Sequence, residues 1–282
     1  MRKWLFFAYG LIGYASFLAA FLYAMGFVSG YFVPRTIDAG PAAATLVAVA
    51  INLGLLSTFA VQHSIMARPG FKRVWTRIVP PAIERSTFVL ATSAIFLAIF
   101  TQWRPLPATV WDLRETGLHF PLLCVSALGW LTVLLASFQI DHFELFGLSP
   151  TWRHLRGKQP PQVHFAERGF YRHVRHPLML GFLLAFWSTP YMTQGHLLFT
   201  GVVTAYILVA LQLEERDLIA AHGDQYRDYR RRVPSLIPGN LFCRPAAPSS
   251  ARPQPLFAVE QDRKLSHPAK VRVAERHVDS AR

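Results

Sequence analysis

The segment LMLGFLLAFWSTPYMTQGHLLFTGVVTAYILVALQL, residues 178–213, contains no Asp, Glu, Lys or Arg. A spanning helix needs roughly 20 mostly apolar residues, so this segment is long enough for two crossings with a turn between them. We predict a hairpin of two apolar helices, 178–191 and 197–213, with Thr193, Gln194 and Gly195 in the turn. The first arm is short for a full crossing, which is also compatible with a tilted or partly re-entrant hairpin.

Four further uncharged stretches precede this hairpin. They predict spanning helices over 4–32, 42–66, 86–103 and 118–139. These helices are apolar all round, whereas the helices of a soluble bundle carry a polar face. The first stretch continues to Phe32, well beyond the roughly 7–15 apolar residues of a signal peptide, so we interpret it as a retained helix. The sequence therefore predicts an all-α, polytopic membrane bundle of about five to six transmembrane helices in a lipid bilayer.

The net charge of +13 is informative about how the chain is oriented in the membrane, because the basic residues lie in alternate loops. One set of loops carries Arg2, Lys3, Arg68, Lys72, Arg73, Arg77, Arg85, Arg153, Arg156, Lys158, Arg168, Arg172, Arg175, Arg227, Arg230, Arg231 and Arg232. The intervening loops hold only Arg35, Arg104 and Arg114. By the positive-inside rule this asymmetry predicts cytoplasmic termini in a bacterial inner membrane. Nucleic acid is not a predicted partner, since no basic cluster lies on a soluble domain.

The composition divides the chain into three parts. Residues 1–140 hold the first four spanning helices, and residues 141–240 hold a polar loop, the hairpin and an amphipathic helix. We expect that last helix to begin at Glu214, with Glu215, His222, Tyr226 and Tyr229 on one face and a bend or stop at Gly223. Residues 241–282 are rich in Pro, Ser and mixed charge and predict a disordered tail.

Two polar clusters bracket the hairpin. GFYRHVRHP, residues 169–177, precedes it, and EERD, residues 214–217, follows it. Since a hairpin returns the chain to the side that it left, we expect both clusters to meet at the cytoplasmic face. Each cluster alone is also compatible with interfacial anchoring residues and a solvated helix end.

The side chains of these clusters have complementary binding chemistry. Arg175 offers a fork of donors that suits a carboxylate. Glu214 and Glu215 offer acceptors for ribose hydroxyls or an ammonium group, and rings such as Tyr171 and Tyr226 can stack on a base or face a cation. A ligand with amino, carboxylate, ribose, adenine and sulfonium groups matches this inventory.

The motifs G-F-Y-x-x-x-R-H-P-x-x-x-G, E-E-R-D-L, H-G-x-x-Y-x-x-Y and V-P-x-x-I-P resemble those of a membrane methyltransferase superfamily. That superfamily includes isoprenylcysteine carboxyl methyltransferases, phospholipid methyltransferases and NnrU-like proteins. DHFELFGL at 141–148, LRGK at 155–158 and YRRRVP at 229–234 are most similar to methanethiol S-methyltransferases. The resemblance covers roughly residues 1–240.

The resemblance implies an enzyme that methylates methanethiol to dimethyl sulfide with S-adenosylmethionine. The cofactor-binding residues that it implies are Tyr171, Arg175, His176, Pro177, Met179, Gly181, Glu214, Glu215, Tyr226 and Tyr229. Met179 departs from the superfamily, which often has Tyr two residues after the Pro, so the contact at this position is altered. Other readings stay open: a lipid or isoprenylcysteine acceptor, a non-catalytic NnrU-like protein, or a transporter.

Thiol methylation requires a proton acceptor, because the thiolate is the better nucleophile. The candidates are His142, Glu144 and His176. The histidines do not form the H-x-x-x-H or H-x-x-H-H boxes of membrane di-iron enzymes, so no metal is predicted. The sequence leaves the oligomeric state open.

Overall fold

The computed structural model describes residues 1–159 and 167–238. Over these ranges the chain forms ten α-helices, one 3₁₀ turn and two short strands. They are α1 (Arg2–Ser29), α2 (Thr45–Ala67), α3 (Pro69–Trp75), α4 (Pro81–Gln102), β1 (Thr109–Asp112), α5 (His119–Ile140), α6 (His142–Leu145), α7 (Leu148–Arg156), the 3₁₀ turn (Gly169–Arg172), α8 (Pro177–Trp187), β2 (Tyr191–Thr193), α9 (Gln194–His222) and α10 (Asp224–Arg232). The predicted tail, 241–282, lies outside the described residues.

Five helices, α1, α2, α4, α5 and α9, are long and apolar enough to cross a membrane. Large apolar side chains such as Leu11, Leu128 and Val209 point outward from them. In water this surface would be unfavourable, whereas lipid solvates it. The structure thus confirms the predicted all-α membrane bundle, and the chain is an integral membrane protein.

Aromatic rings fill the interior between the long helices. Phe27 of α1 meets Trp103 edge to face, with ring centroids 6.1 Å apart, and Phe186 of α8 meets Phe199 of α9 at 5.2 Å. Trp130 of α5 packs against Phe186 at 5.7 Å. Edge-to-face pairs at these distances are favourable beyond the area that they bury. This aromatic layer holds α1, α5, α8 and α9 together.

The predicted hairpin is present, but its turn lies earlier than predicted. The first arm, α8, has 11 residues, which corresponds to about 16 Å, so it cannot cross a hydrocarbon core of about 30 Å. Thr193 is the N-cap of α9, because its side chain accepts a hydrogen bond from the backbone N–H of His196. The prediction of a turn at 193–195 was therefore wrong, and the reversal occupies the residues after Trp187.

The extended segment after α8 is protected within the protein. Tyr191–Thr193 pairs antiparallel with Thr109–Asp112, which follows α4. Met192 and Thr193 are buried, and the Thr193 hydroxyl donates to Asp38. Non-helical backbone at membrane depth is tolerated only where protein or water satisfies its polar groups. The short arm thus reaches the far end of the bundle through a small sheet.

The second arm continues beyond the apolar stretch. α9 runs unbroken from Gln194 to His222, so Glu214 and Glu215 belong to the spanning helix itself. The prediction of a separate amphipathic helix beginning at Glu214 was wrong, because charge marks the edge of the membrane and not the end of helical hydrogen bonding. The break comes at Gly223, with φ of 56°, and the amphipathic helix is α10. Gly223 is the predicted stop.

The observed limits of α1 and α4 also differ from the predicted ones. α1 ends at Ser29, because Gly30 adopts a left-handed φ of 81° as its C-cap. α4 begins at Pro81, and its first turn includes the charged residues that precede the apolar stretch.

One end of the bundle collects the polar elements. Arg68 at the end of α2 pairs with Asp217 of α9 at 2.8 Å. The backbone N–H of Phe170 donates to Gln139 near the end of α5 at 2.8 Å. α7 returns to the start of α1, where Gly10 lies directly against Thr151. The beginning of α1 and helix α10 therefore lie at the same end, which we call the polar end.

Candidate active site

Glu215 is the centre of an ion-pair cluster at the polar end. Its Oε1 accepts from Arg175 Nη2 at 2.7 Å and Nε at 2.9 Å, and it lies 3.2 Å from His176 Nε2. Its Oε2 lies 3.2 Å from Arg230 Nε. The carboxylate side chain is only 10% exposed. The structure therefore brings the two predicted clusters together, and Glu215 joins them.

Arg175 ties this cluster to the chain that follows α10. Its Nη1 donates to the carbonyls of Arg230 at 2.9 Å and Val233 at 2.5 Å, and its backbone N–H donates to the Pro234 carbonyl. With the two bonds to Glu215, these contacts use four of the five guanidinium N–H groups. The fork that we expected for a ligand carboxylate thus holds Glu215.

Glu214 differs from its neighbour. Its side chain is 46% exposed, it lines the large cavity described below, and its Oε2 lies 4.0 Å from His176 Nδ1. The His176 ring, which is 7% exposed, lies between the two glutamates and contacts Glu215 through Nε2. Of these two glutamates, Glu214 is thus the one that a ligand in the cavity can reach.

Three tyrosines form the aromatic wall of the site. The Tyr229 hydroxyl donates to the Tyr171 carbonyl at 2.7 Å, and the rings of Tyr226 and Tyr229 meet at 5.8 Å. Burial raises the pKa of Tyr171, and the negative charge of Glu214 raises it further. Burial also raises the pKa values of Tyr226 and Tyr229. All three phenols therefore stay neutral at physiological pH.

Three of the predicted cofactor-binding residues lie in the first turns of α8, and they face different surroundings. Pro177 is the first residue of the helix and is buried, while Met179 lines the cavity. Gly181 faces α5: a Cβ there would lie 2.7 Å from the Gly129 carbonyl oxygen and 2.9 Å from Val133. The structure thus gives Gly181 a role in helix packing, and it does not line the cavity.

His142 follows α5 in an aromatic enclosure. Its ring stacks on Phe138 with centroids 4.2 Å apart and an interplanar angle of 8°. Its Nδ1 lies 2.8 Å from Ser137 Oγ, and its Nε2 lies 3.1 Å from the Tyr14 hydroxyl. Burial lowers the pKa of His142, and the negative charge of Asp141 opposes this in part. The ring is 4% exposed and lies at the cavity wall.

Glu144, two residues after His142, is engaged in an ion pair. Its two oxygens accept from Arg153 Nη1 at 2.5 Å and Nη2 at 2.8 Å. The backbone N–H of Glu144 donates to Asp141, which is the N-cap of α6. A bidentate guanidinium stabilises the ionised carboxylate. Both carboxylate oxygens of Glu144 are therefore engaged by Arg153.

One large cavity connects these groups. It has a volume of about 2700 Å³ and is open at its mouth. Its polar part is lined by Tyr171, Arg175, His176, Glu214, Tyr226 and Tyr229, and its inner part by Tyr14, Phe17, Phe21, Met25, Phe182 and Phe186. His142 and Glu144 line the same cavity. The space therefore joins a polar, aromatic region to an apolar region within the bundle.

Curated proteins give close matches over nearly their whole length. The chain is 56% identical over 238 residues to methanethiol S-methyltransferase of Mycobacterium tuberculosis, covering 84% of this chain and 98% of that one. It is 51% identical over 251 residues to methanethiol S-methyltransferase 2 of Bradyrhizobium diazoefficiens, covering 89% and 96%. The chain belongs to the methanethiol S-methyltransferase family. The predicted resemblance is thus confirmed.

This methanethiol S-methyltransferase family member also matches a more distant protein. Human Nurim is 30% identical over 181 residues, which cover 61% of this chain and 69% of Nurim. That similarity fits the wider superfamily predicted from the motifs. No protein-family model matches the chain, and no solved structure does.

Several residues at the site of this methanethiol S-methyltransferase family member were not predicted. Tyr14 and Ser137 contact His142, Arg153 holds Glu144, and Arg230 contacts Glu215. A tyrosine or serine hydroxyl in an apolar spanning helix was the available signal, since polar groups in lipid need partners. Over residues 1–159 and 167–238 the structure has no group of three His, Cys, Asp or Glu side chains placed to hold a metal ion.

Proposed function

We propose that the protein transfers a methyl group from S-adenosylmethionine to methanethiol and so forms dimethyl sulfide. Family membership supports the reaction, since the curated relatives are named for it. The observation that carries the proposal is the single cavity that joins the Glu214 and tyrosine region to the apolar interior. A charged methyl donor and a small apolar thiol need these two environments side by side.

The residues at the polar end fit the donor. Bound S-adenosylmethionine supplies an electrophilic methyl group on a positively charged sulfur. The exposed carboxylate of Glu214 suits its ammonium group or ribose hydroxyls, and the faces of Tyr171 and Tyr226 suit an adenine ring or a cation. The ion pair of Arg175, which lines the cavity, with Glu215 stabilises this wall. Pro177 and Gly181 belong to the first turns of α8.

The apolar part of the cavity fits the methyl acceptor, because of the solubility of methanethiol in lipid. Methanethiol is small and apolar and partitions into lipid, so a cavity between spanning helices is accessible to it. Phe17, Phe182 and Phe186 give that part of the cavity an apolar lining. Alignment of sulfur, methyl and leaving group with water excluded supplies much of the catalysis in such a transfer.

We also propose that the polar end faces the cytoplasm of a bacterial inner membrane. Its loops and helix ends carry most of the basic residues, including Lys72, Arg153 and Arg230. The opposite end carries Arg35, Arg104 and Arg114. This distribution supports the orientation by the positive-inside rule. A donor site that faces the cytoplasm has access to the S-adenosylmethionine of the cell.

The test uses purified protein in detergent with S-adenosylmethionine and three acceptors in parallel: methanethiol, an isoprenylated cysteine and a phospholipid amine. We expect dimethyl sulfide in the headspace and no product from the other two acceptors. Glu214→Gln removes the charge that faces the cavity and should weaken donor binding in calorimetry about 10- to 100-fold, the range expected for a hydrogen bond to a charged group.

Glu115→Gln is the matched control. Glu115 is exposed in the loop before α5, at the opposite end of the bundle from the polar end. It should leave donor binding and product formation unchanged. Dimethyl sulfide formation by the Glu214→Gln variant with normal donor affinity would contradict the assigned site. Absence of product from every acceptor, together with no donor binding by the unaltered protein, would contradict the enzyme itself.

A further inference from the structure

Three side chains at the wall of the cavity, Tyr14, His142 and Ser137, are joined by hydrogen bonds. The Tyr14 hydroxyl of α1 lies 3.1 Å from His142 Nε2, and His142 Nδ1 lies 2.8 Å from Ser137 Oγ of α5. Ser137 Oγ in turn donates to the Leu134 carbonyl at 2.6 Å. Tyr14 is half-buried, and Tyr14, His142 and Ser137 all line the cavity, so this chain of hydrogen bonds lies along the space for substrates.

The hydrogen bonds fix the tautomer of His142. A serine hydroxyl has one proton, and that of Ser137 is used on the Leu134 carbonyl, so Ser137 Oγ accepts from His142 Nδ1–H. A neutral imidazole with its proton on Nδ1 has a lone pair on Nε2. That lone pair accepts the Tyr14 hydroxyl proton. The stacked Phe138 ring holds the imidazole plane in place.

We infer that Tyr14 takes the proton of the thiol while its own proton passes to His142 Nε2, with Ser137 as a positioning residue. This inference rests on the proposed thiol methylation. The thiol S–H bond breaks and its proton joins Tyr14 Oη; the Tyr14 proton joins His142, which becomes an imidazolium. The thiolate sulfur bonds to the methyl carbon, and the bond from that carbon to the donor sulfur breaks with its electron pair left on that sulfur. His142 then releases the proton to water.

The other two candidates are less suited to this step. Both carboxylate oxygens of Glu144 already accept hydrogen bonds from Arg153. The Nε2 of His176 is committed to Glu215. Among the candidates predicted from the sequence, His142 alone has a basic nitrogen connected to the cavity by a second proton carrier. The neutral state that this requires agrees with the burial of the ring, which lowers the pKa of His142.

The side chains that surround His142 come from α1, α5, α6 and α7, and few of them carry a charge. α1 contributes Tyr14, and α5 contributes Ser137 and Phe138, which carry no charge. Asp141 caps α6, and Glu144 in the same helix is neutralised by Arg153 of α7. Asp141 is thus the nearby charge that can stabilise the imidazolium formed in the step.

The decisive variant is Tyr14→Phe, compared with Tyr9→Phe in the same helix. Tyr9 also bonds a hydroxyl, that of Thr87 at 3.1 Å, but it does not line the cavity. At neutral pH we expect Tyr14→Phe to lower kcat about 10²- to 10⁴-fold, the usual contribution of general base catalysis, with unchanged donor affinity in calorimetry. Tyr9→Phe should keep kcat within about two-fold, because its hydroxyl has no part in the proton path.

The pH profile separates a chemical role from a structural one. Without the relay, only the thiolate already in solution reacts, so the rate of Tyr14→Phe should rise about ten-fold per pH unit below the thiol pKa. The unaltered protein should change little over the same range above neutrality, because His142 is already neutral. Methaneselenol, a stronger acid, should restore most of the rate of the variant at neutral pH.

A spectroscopic readout tests the relay without turnover. In ¹⁵N-histidine NMR, assigned by loss of a signal in His142→Gln, we expect the Nδ1–H tautomer in the unaltered protein and loss of that preference in Ser137→Ala. The Nε2–H tautomer in the unaltered protein would overturn the inference, as would a pH-independent loss of rate in Tyr14→Phe or no loss at all. Failure of the unaltered protein to methylate methanethiol at any pH would instead contradict the proposed function.

Discussion

At the scale of the residue, two adjacent glutamates, Glu214 and Glu215, have very different surroundings. Successive residues of an α-helix point about 100° apart, so Glu215 turns toward Arg175 and Glu214 toward the cavity. The Glu215 side chain is 10% exposed and that of Glu214 is 46% exposed. One carboxylate is therefore structural, and the other is accessible to a ligand. The sequence motif Glu-Glu gives no indication of this division.

A prediction at this scale concerns Arg175. Arg175→Lys keeps the charge, but its three donors on one nitrogen cannot replace the four contacts that the guanidinium makes through three nitrogens. We expect the free energy of unfolding in detergent to fall by about 1–3 kcal/mol, because buried acceptors lose their donors. Arg232→Lys is the control: its pair with Glu167 is more exposed than that of Arg175 with Glu215, so the change should stay below about 1 kcal/mol. Equal effects of the two substitutions would argue against a buried hub at Glu215.

At the scale of elements, the contact between α5 and α8 sets the position of the site. Gly129 and Gly181 let the two backbones approach closely: a Cβ at Gly129 would lie 2.6 Å from the Gly181 carbonyl oxygen and 2.5 Å from the Ala185 nitrogen. Small residues at helix contacts are typical of membrane bundles. Because α8 begins directly after His176, this contact also places the ion-pair cluster relative to His142, which follows α5.

Gly129→Ala should force these two helices apart. We expect a loss of about 1–3 kcal/mol in unfolding free energy, the range for overpacking a tight contact, and weaker donor binding in calorimetry. Gly201→Ala in α9 is the matched control, since a Cβ there meets no atom within 4 Å. It should be neutral or slightly stabilising, because alanine favours the helix. A stable Gly129→Ala variant with full donor affinity would show that the close approach is dispensable.

At the scale of the whole molecule, the beginning of α1 and helix α10 lie at the same end of the bundle, the polar end. Five helices are nevertheless long enough to span the membrane. The short α8 with its strand reaches the far end of the bundle and α9 returns, so the hairpin adds no net crossing. This arrangement brings residues from both sides of one hairpin into one ion-pair cluster. It also places the sparse basic residues at the opposite end.

The orientation can be tested with single cysteines in a background without the natural ones. In intact spheroplasts, Glu115→Cys at the far end should react with a membrane-impermeant maleimide. Asp224→Cys, whose parent side chain is 90% exposed at the polar end, should react only after permeabilisation. The reverse pattern would place the donor site outside the cytoplasm and contradict the positive-inside assignment.

The sequence by itself determined the membrane bundle, the approximate spans and the two clusters beside the hairpin. These follow from local properties, since hydropathy is summed along the chain and motifs are contiguous. It misplaced the hairpin turn and the end of α9, because the loss of apolar character at Glu214 does not interrupt helical hydrogen bonding, whereas Gly223 does.

Only the tertiary structure decided which side chains work together. Tyr14 and His142 are 128 positions apart in the chain, and Arg175 and Glu215 are 40 apart, yet each pair shares a hydrogen bond. Such contacts depend on the rotation of each helix about its axis and on the separation of neighbouring helices, which small residues such as Gly129 and Gly181 set. These quantities are properties of packed pairs of helices, so no single segment of the sequence contains them.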